Sequence, residues 1–250
     1  VGGLPAGAVL FSDSTRSKRS SLVSRSAGSV YDFDSVAESY DNWYFQPVGQ
    51  MYDRLEKEAI ARLLPSPATG DRLLEVGCGT GHWSAFFAER GFRVTGLDIS
   101  GRMLEMARKK RIPRAAFYQS DAGAIPFADD TFDLAAAITV LEFSPQPRRV
   151  VEEMVRCARP GGRLIVGALN RWSYLGLSRK MVLKPVFQDA RFFSLGELRE
   201  LLSSYGEVNV RSTACFLPWR QALPIAPVLD RAASGVRLPF GDFLVGEVRL

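Results

Sequence analysis

From Arg72 onward, short apolar runs alternate with segments whose apolar residues recur every three or four positions. "RLLEVG" reads as a buried strand, and "HWSAFFAER" as a helix stopped by Gly91. "FRVTGLD" is a second strand, followed by the helix "SGRMLEMARKK" with Ser100 as its N-cap. "AAFYQSD" and "DLAAAITVLEF" supply a third and a fourth strand. The helix "PQPRRVVEEMVRCAR" then leads through "PGG" into a fifth strand, "RLIVGAL". This strand–helix alternation predicts an α/β protein with an open, largely parallel sheet and helices on both faces. Upstream, Met51, Leu55, Ile60, Leu63 and Leu64 predict a helix over about 48–64, ended by "PSPATG". Downstream, "SLGELRELLSSYG" reads as a helix opened by Ser194, and "EVNVRSTACF" and "FLVGEVRL" as closing strands.

Length and composition narrow this picture. At 250 residues with 46% apolar content, the chain suits one elaborated domain with a sizeable core. No apolar run approaches the roughly 18 residues of a membrane span. The net charge is +5, of which residues 1–30 carry +3, so the basic pI is partly a property of the tail. That distribution is weak support for nucleic-acid binding, which requires basic residues on one folded face. Cys78, Cys157 and Cys215 are widely spaced and His82 is the only histidine. A disulfide framework, a zinc site and a His-rich metal centre are all disfavoured, and a reducing, cytoplasmic setting is expected.

Residues 1–29 are rich in Gly, Ser and basic residues and read as a disordered tail, with a targeting segment as the alternative. Residues 30–250 form the expected domain, with 30–68 as an N-terminal cap. Two long connections, 171–192 and 217–241, read as substrate-side lids.

The chemistry concentrates in "LLEVGCGTGHWS". A strand running into glycines and then a helix presents backbone N–H groups and a helix N-terminus to a ligand. Gly77, Gly79 and Gly81 give G-x-G-x-G, and His82 stands where a dinucleotide fingerprint would have its last glycine. Glu75, two residues before the first glycine, would repel a pyrophosphate and attract an ammonium. Asp98, ending the second strand, stands where a carboxylate accepts from both ribose hydroxyls. The ligand inferred has a ribose, is not favoured to carry a diphosphate, and is compatible with a cationic centre.

These residues resemble the class I S-adenosylmethionine-dependent methyltransferases, in the group that includes the ubiquinone/menaquinone biosynthesis enzymes. "LLEVGCGTGHWS" is similar to that family's first motif and "VTGLDISGRMLEMAR" to its ribose-binding strand and helix. "SDAGAIPFADDTFDLAAAITVLEF" resembles the adenine-binding and post-strand-4 segments, and "ARPGGRLIVGALNR" the turn into strand five. The resemblance implies a Rossmann-like seven-stranded sheet of order 3-2-1-4-5-7-6, the last strand antiparallel. It implies S-adenosylmethionine as cofactor, with no metal. Gly77, Cys78, Gly79 and Gly81 would line the methionine moiety, with Glu75 near its amino group and Tyr40 near its carboxylate. Asp98 would bind the ribose, Ile99 and Met103 would lie by the adenine, and Asp121 and Ala122 would meet the ring's polar edge. Val140 and Leu141 would follow strand four at the junction of cofactor and substrate, with Glu142, Arg171 and Trp172 on the substrate side.

The implied function is methyl transfer to a small-molecule acceptor, aromatic, quinone-like or amphipathic. The rivals are a nicotinamide-dependent oxidoreductase and a non-catalytic S-adenosylmethionine-binding partner subunit. Nucleic-acid methylation lacks an N-P-P-Y-type tetrapeptide, since "TVLEF" stands there. "RKKRIPR" reads as a solvated helix end complementing the dipole, and His82 as a packing or rim residue. Arg171, Arg179, Lys180, Lys184 and Arg191, interleaved with Trp172, Tyr174 and Phe187, suggest a basic, aromatic lid over an anionic or amphipathic substrate. No nucleic-acid partner and no membrane span are expected, and peripheral membrane contact stays open. The sequence leaves the oligomeric state and any catalytic base open.

Overall fold

The structure is a computed structural model and describes residues 28–66, 71–178, 187, 190–216 and 220–250. Its elements in chain order are α1 (Pro47–Ala61), β1 (Arg72–Val76), α2 (His82–Glu89), β2 (Arg93–Asp98), α3 (Gly101–Lys109), β3 (Ala115–Gln119) and β4 (Phe132–Ile138). There follow α4 (Pro147–Cys157), β5 (Ala158–Leu169), α5 (Tyr174–Ser178), α6 (Leu195–Leu202), β6 (Glu207–Thr213), α7 (Ala226–Gly235) and β7 (Phe243–Arg249). Short 3-10 turns occupy Phe33–Val36, Tyr40–Phe45, Leu141–Phe143 and Arg220–Ile225. The seven strands form one sheet in the order β3-β2-β1-β4-β5-β7-β6. β7 runs antiparallel to both its neighbours, and the remaining pairings are parallel. This is the architecture the resemblance implied.

Strand alternation divides the core into two layers. Leu74, Val76, Leu164 and Val166 point into one, shared with Val151 and Met154 of α4 and Leu198 and Leu202 of α6. Leu73, Leu134 and Ile165 point into the other, shared with Leu55 and Ile60 of α1 and Phe86 and Phe87 of α2. Both expected caps form. Ser100 accepts from the Met103 N–H, and Ser194 with Glu197 closes a reciprocal capping box on α6.

Several boundaries differ from the sequence reading, with β5 already beginning at Ala158, ahead of the "PGG" turn, and β6 ending at Thr213. The first helix ends at Ala61. The fourth strand stops at Ile138, because Thr139 turns to φ +53° and sends the chain into a 3-10 turn. The segment 217–241, read as a connection, contains α7. Arg179, Lys180, Lys184 and Asp189 of the expected lid lie outside the described residues, as does most of the expected tail.

Candidate active site

The C-terminal ends of β1, β2 and β4 meet at one cleft, the position where open α/β sheets bind ligands. Its walls include Gly77 and Gly79 after β1, Asp98 at the end of β2 and Ile99 after it, Met103 of α3, and Thr139 and Val140 after β4. Gly77, Gly79 and Gly81 all adopt positive φ (+67°, +52° and +78°). A methyl group on Gly77 would run into the side chain of Val140, so this turn is bare of necessity. Asp98 braces it. One carboxylate oxygen accepts from the Gly79 N–H at 2.8 Å and the other from the Ser100 N–H at 2.9 Å. Burial pushes the Asp98 carboxyl above the usual carboxylate range, against the pull of those two N–H groups.

Glu75 stands behind the glycine turn, 2% exposed, and accepts from Ser84 Oγ at 2.5 Å. Burial pushes its carboxyl up to about 8. Lys110 offsets burial only in part, and Glu75 holds its proton at neutral pH in the protein alone.

The N-terminal cap closes over the cleft through specific bonds. The Val30 N–H donates to the Phe143 carbonyl at 2.8 Å. Asp34 accepts from Ser100 Oγ at 2.5 Å. Asp41 accepts from Thr80 Oγ1 at 2.6 Å and pairs with Lys110 at 2.7 Å. Tyr40 thereby becomes part of the cleft wall. Burial, then the nearby Asp98 carboxylate, pushes its phenol well above the ordinary value.

Two further carboxylates lie within electrostatic reach of Tyr40, Glu56 of α1 and Glu142 after β4. Glu142 is 1% exposed. Its Oε1 accepts from the Leu169 N–H at 2.5 Å, whereas its Oε2 is buried with no hydrogen-bond partner. Burial pushes the carboxyl up to about 7, with the Leu169 bond pulling the other way. Burial, reinforced by Asp53 and Asp242, holds Glu56 well above its ordinary range.

The expected site residues thus divide by position. Tyr40, Gly77, Gly79, Asp98, Ile99, Met103, Ala122 and Val140 line the cleft. Glu75, Cys78, Gly81 and Leu141 stand behind that lining. Cys78 packs against Gly96, Gly81 caps α2, and Leu141 is fully buried. Asp121 Oδ1 accepts from the Gly123 N–H at 2.8 Å, closing a local turn. Arg171 donates to the Phe192 carbonyl and pairs with Glu197 at 2.9 Å, while Arg191 lies 3.8 Å from the same carboxylate. Glu197 pairs closely with Arg171 and more loosely with Arg191, so the cluster keeps a net positive charge. Trp172 is exposed. His82 stacks on Tyr44 at 3.6 Å, with Nε2 2.6 Å from Asp53 and 2.9 Å from Lys57. Burial pushes Asp53 up, but the bonds from His82 and Lys57 outweigh it and leave its carboxyl below the usual range.

Sequence reasoning missed Gly28, Ser29, Phe33, Thr139 and Glu56. Gly28 and Ser29, assigned to the tail, border the cleft beside Phe33. Thr139 carries a positive φ that a non-glycine residue adopts only where its surroundings impose it.

A glycine cradle and a carboxylate at the end of the second strand lie at one cleft of a sheet with this strand order. The chain belongs to the class I S-adenosylmethionine-dependent methyltransferases. Residues 74–166 match the family model described as a methyltransferase domain. An uncharacterized protein of Methanocaldococcus jannaschii is 34% identical over 72% of this chain and 83% of its own length. A phosphatidylethanolamine N-methyltransferase of Cereibacter sphaeroides is 35% identical over 54% of this chain and 68% of its own. The crystal structure of an S-adenosylmethionine-dependent methyltransferase from Thermotoga maritima superposes with a TM-score of 0.69. It is 26% identical and covers 87% of this chain and 97% of that one.

Proposed function

We propose that the protein methylates a small aromatic or amphipathic acceptor seated beside Tyr40, between α1 and the turn after β4, with Glu142 taking up the acceptor's proton. The observation that carries this reading is the unpartnered Oε2 of Glu142. A carboxylate oxygen buried without a donor is costly, and a ligand O–H or N–H would satisfy it. A value near 7 suits a base at neutral pH, because the group is then both available and able to hold the proton it receives.

The cradle chemistry fits S-adenosylmethionine, which when bound supplies an electrophilic methyl group. Gly77 and Gly79 would admit its amino-acid end against bare backbone, with Glu75 answering the ammonium from behind the turn. Asp98 would accept from the ribose hydroxyls while keeping its bonds to Gly79 and Ser100. Ile99, Met103 and Ala122 would sandwich the adenine, with Asp121 at its polar edge. The cap residues Tyr40 and Phe33 would exclude water over the reacting centre. Positioning supplies most of the acceleration in such a displacement, and Glu142 adds proton removal. The lipid acceptor named for the Cereibacter relative is in keeping with an amphipathic molecule.

The test is transfer of labelled methyl from S-adenosylmethionine to a panel of phenols, aromatic amines and ethanolamine-headed lipids. On the acceptor that turns over, kcat should rise with pH through about 7, as Glu142 loses its proton. Glu142→Gln should lower kcat by roughly 100-fold or more with cofactor affinity unchanged. Equal turnover by variant and parent would remove Glu142 from the chemistry.

A further inference from the structure

Nine of the eleven exposed large hydrophobic side chains among the described residues fall within two stretches, 172–177 and 225–240. Single exposed apolar residues are ordinary, but a concentrated group marks a contact surface. Hydrogen bonds join the two stretches into one face. Asn170 donates from Nδ2 to the carbonyls of Pro239 and Gly241, at 2.7 and 2.8 Å. Asp242 in turn accepts from the Leu175 N–H at 2.9 Å. Leu175 and Leu223 pack on the same core layer, which brings the turn before α7 alongside. The second stretch projects Val228 from α7 and Val236 and Phe240 from the following loop, at 65%, 72% and 57% exposure.

The charge on this face has one sign. Asp230, the acid of these two stretches, is buried, with its oxygens taken by Thr213 Oγ1 and the Cys215 N–H. Arg231 and Arg237 are exposed. Apolar tips flanked by arginines match the interface of a bilayer, where tips enter the acyl boundary and guanidinium groups meet phosphates. No helix among the described residues is long and apolar enough to cross a membrane.

We infer that this face docks the protein onto anionic lipid bilayers, Val228, Val236 and Phe240 entering the acyl boundary and Arg231 and Arg237 meeting the headgroups. The face also borders the α1 wall, because Asp242, which braces α5, accepts from Tyr52 Oη at 2.5 Å. If the proposed acceptor is amphipathic, this is the side from which it would leave the bilayer. That clause rests on the proposed function, whereas the docking does not.

The test is flotation of the full chain with vesicles of phosphatidylcholine alone or mixed with phosphatidylglycerol, at low and high salt. The protein should float preferentially with the anionic vesicles, and salt should weaken this. Arg231→Ala and Arg237→Ala should each reduce partitioning about fivefold. Val228→Asp combined with Phe240→Asp should reduce it by at least about tenfold. Calorimetry with S-adenosylhomocysteine should show undiminished binding by these variants, establishing that they are folded. The inference is overturned if the parent floats with neither vesicle or equally with both, or if the aspartate variant floats as well as the parent. It is also overturned if the parent sediments as a dimer that the aspartate variant splits, which would assign the face to a second copy. Flotation is read without turnover, so its failure would leave the methyl-transfer reading standing.

Discussion

Asp98→Asn separates the two jobs that the structure and the proposed function give one carboxylate. In the protein alone, each Asp98 oxygen accepts one backbone N–H, from Gly79 and from Ser100. Each oxygen keeps a lone pair, and the proposed ribose grip uses those remaining pairs. Asparagine retains a single acceptor oxygen, so its NH2 must face one of the two backbone donors. The brace then costs roughly 1–3 kcal/mol, the penalty of leaving a buried N–H unmatched. For a chain of this size that corresponds to a fall in Tm of about 2–10 °C.

The grip is a separate quantity. A hydrogen bond to a charged group contributes about 1.5–3 kcal/mol, so losing one weakens binding by roughly 10- to 150-fold. Calorimetry with S-adenosylhomocysteine and with its 2′-deoxy analogue distinguishes grip from brace, as a double-mutant cycle does. The parent should bind the deoxy analogue more weakly than S-adenosylhomocysteine, and Asp98→Asn should then add little further loss. If the variant weakens both ligands by the same factor, Asp98 supports the glycine turn and does not hold the sugar.

Two further outcomes follow from the buried turn. Glu75 has a native value of about 8 against an ordinary 4.5, so its contribution to stability is intact below about pH 4.5 and is lost as pH rises toward 8. In the cofactor-free protein, Glu75→Gln should therefore melt higher than the parent at pH 8, by roughly 2–5 kcal/mol of stability, and about equally at pH 4.5; parallel pH profiles would mean that Glu75 is ionised in the fold. Gly77→Ala places a methyl group against Val140 at φ +67°. It should lower Tm by several degrees, a strain of roughly 1–3 kcal/mol, and abolish S-adenosylhomocysteine binding, and retained affinity in calorimetry would show that the turn can move aside.

The half of the site proposed for the cofactor was legible because local backbone chemistry specifies it. A glycine at positive φ, a serine three residues before the N–H it caps and a carboxylate at a strand end are all set within a few residues of chain. Ser100 and Gly77 could therefore be read without knowing what surrounds them. The alternation of Leu73 and Leu74 toward opposite layers is equally local, and the sheet follows from repeating it. Thr139 was opaque for the converse reason. "AAAITVLEF" has the composition of a continuing strand, and nothing in that local pattern marks the positive φ at Thr139 that ends it at Ile138.

The half proposed for the acceptor is built from distant pairings. In "DRLEKEAIA", Glu56 has the pattern of a solvated helix charge, and Glu58 on the same helix does pair with Arg54 in the open. What distinguishes Glu56 is the aromatic cap folded over it, with Tyr40, Tyr44 and Tyr52 all within its electrostatic reach. Glu142 acquires its character from Leu169, 27 residues away, which takes one oxygen and leaves the other bare. Both groups take their character from residues distant in the chain, which no backbone motif encodes. On the proposed function, a locally encoded cradle beside a chamber assembled from distant residues would let one fold keep its methyl donor while its acceptor differs. The most informative variants for acceptor choice are accordingly Glu56→Gln and Glu142→Gln, and those for the cofactor are Asp98→Asn and Gly77→Ala.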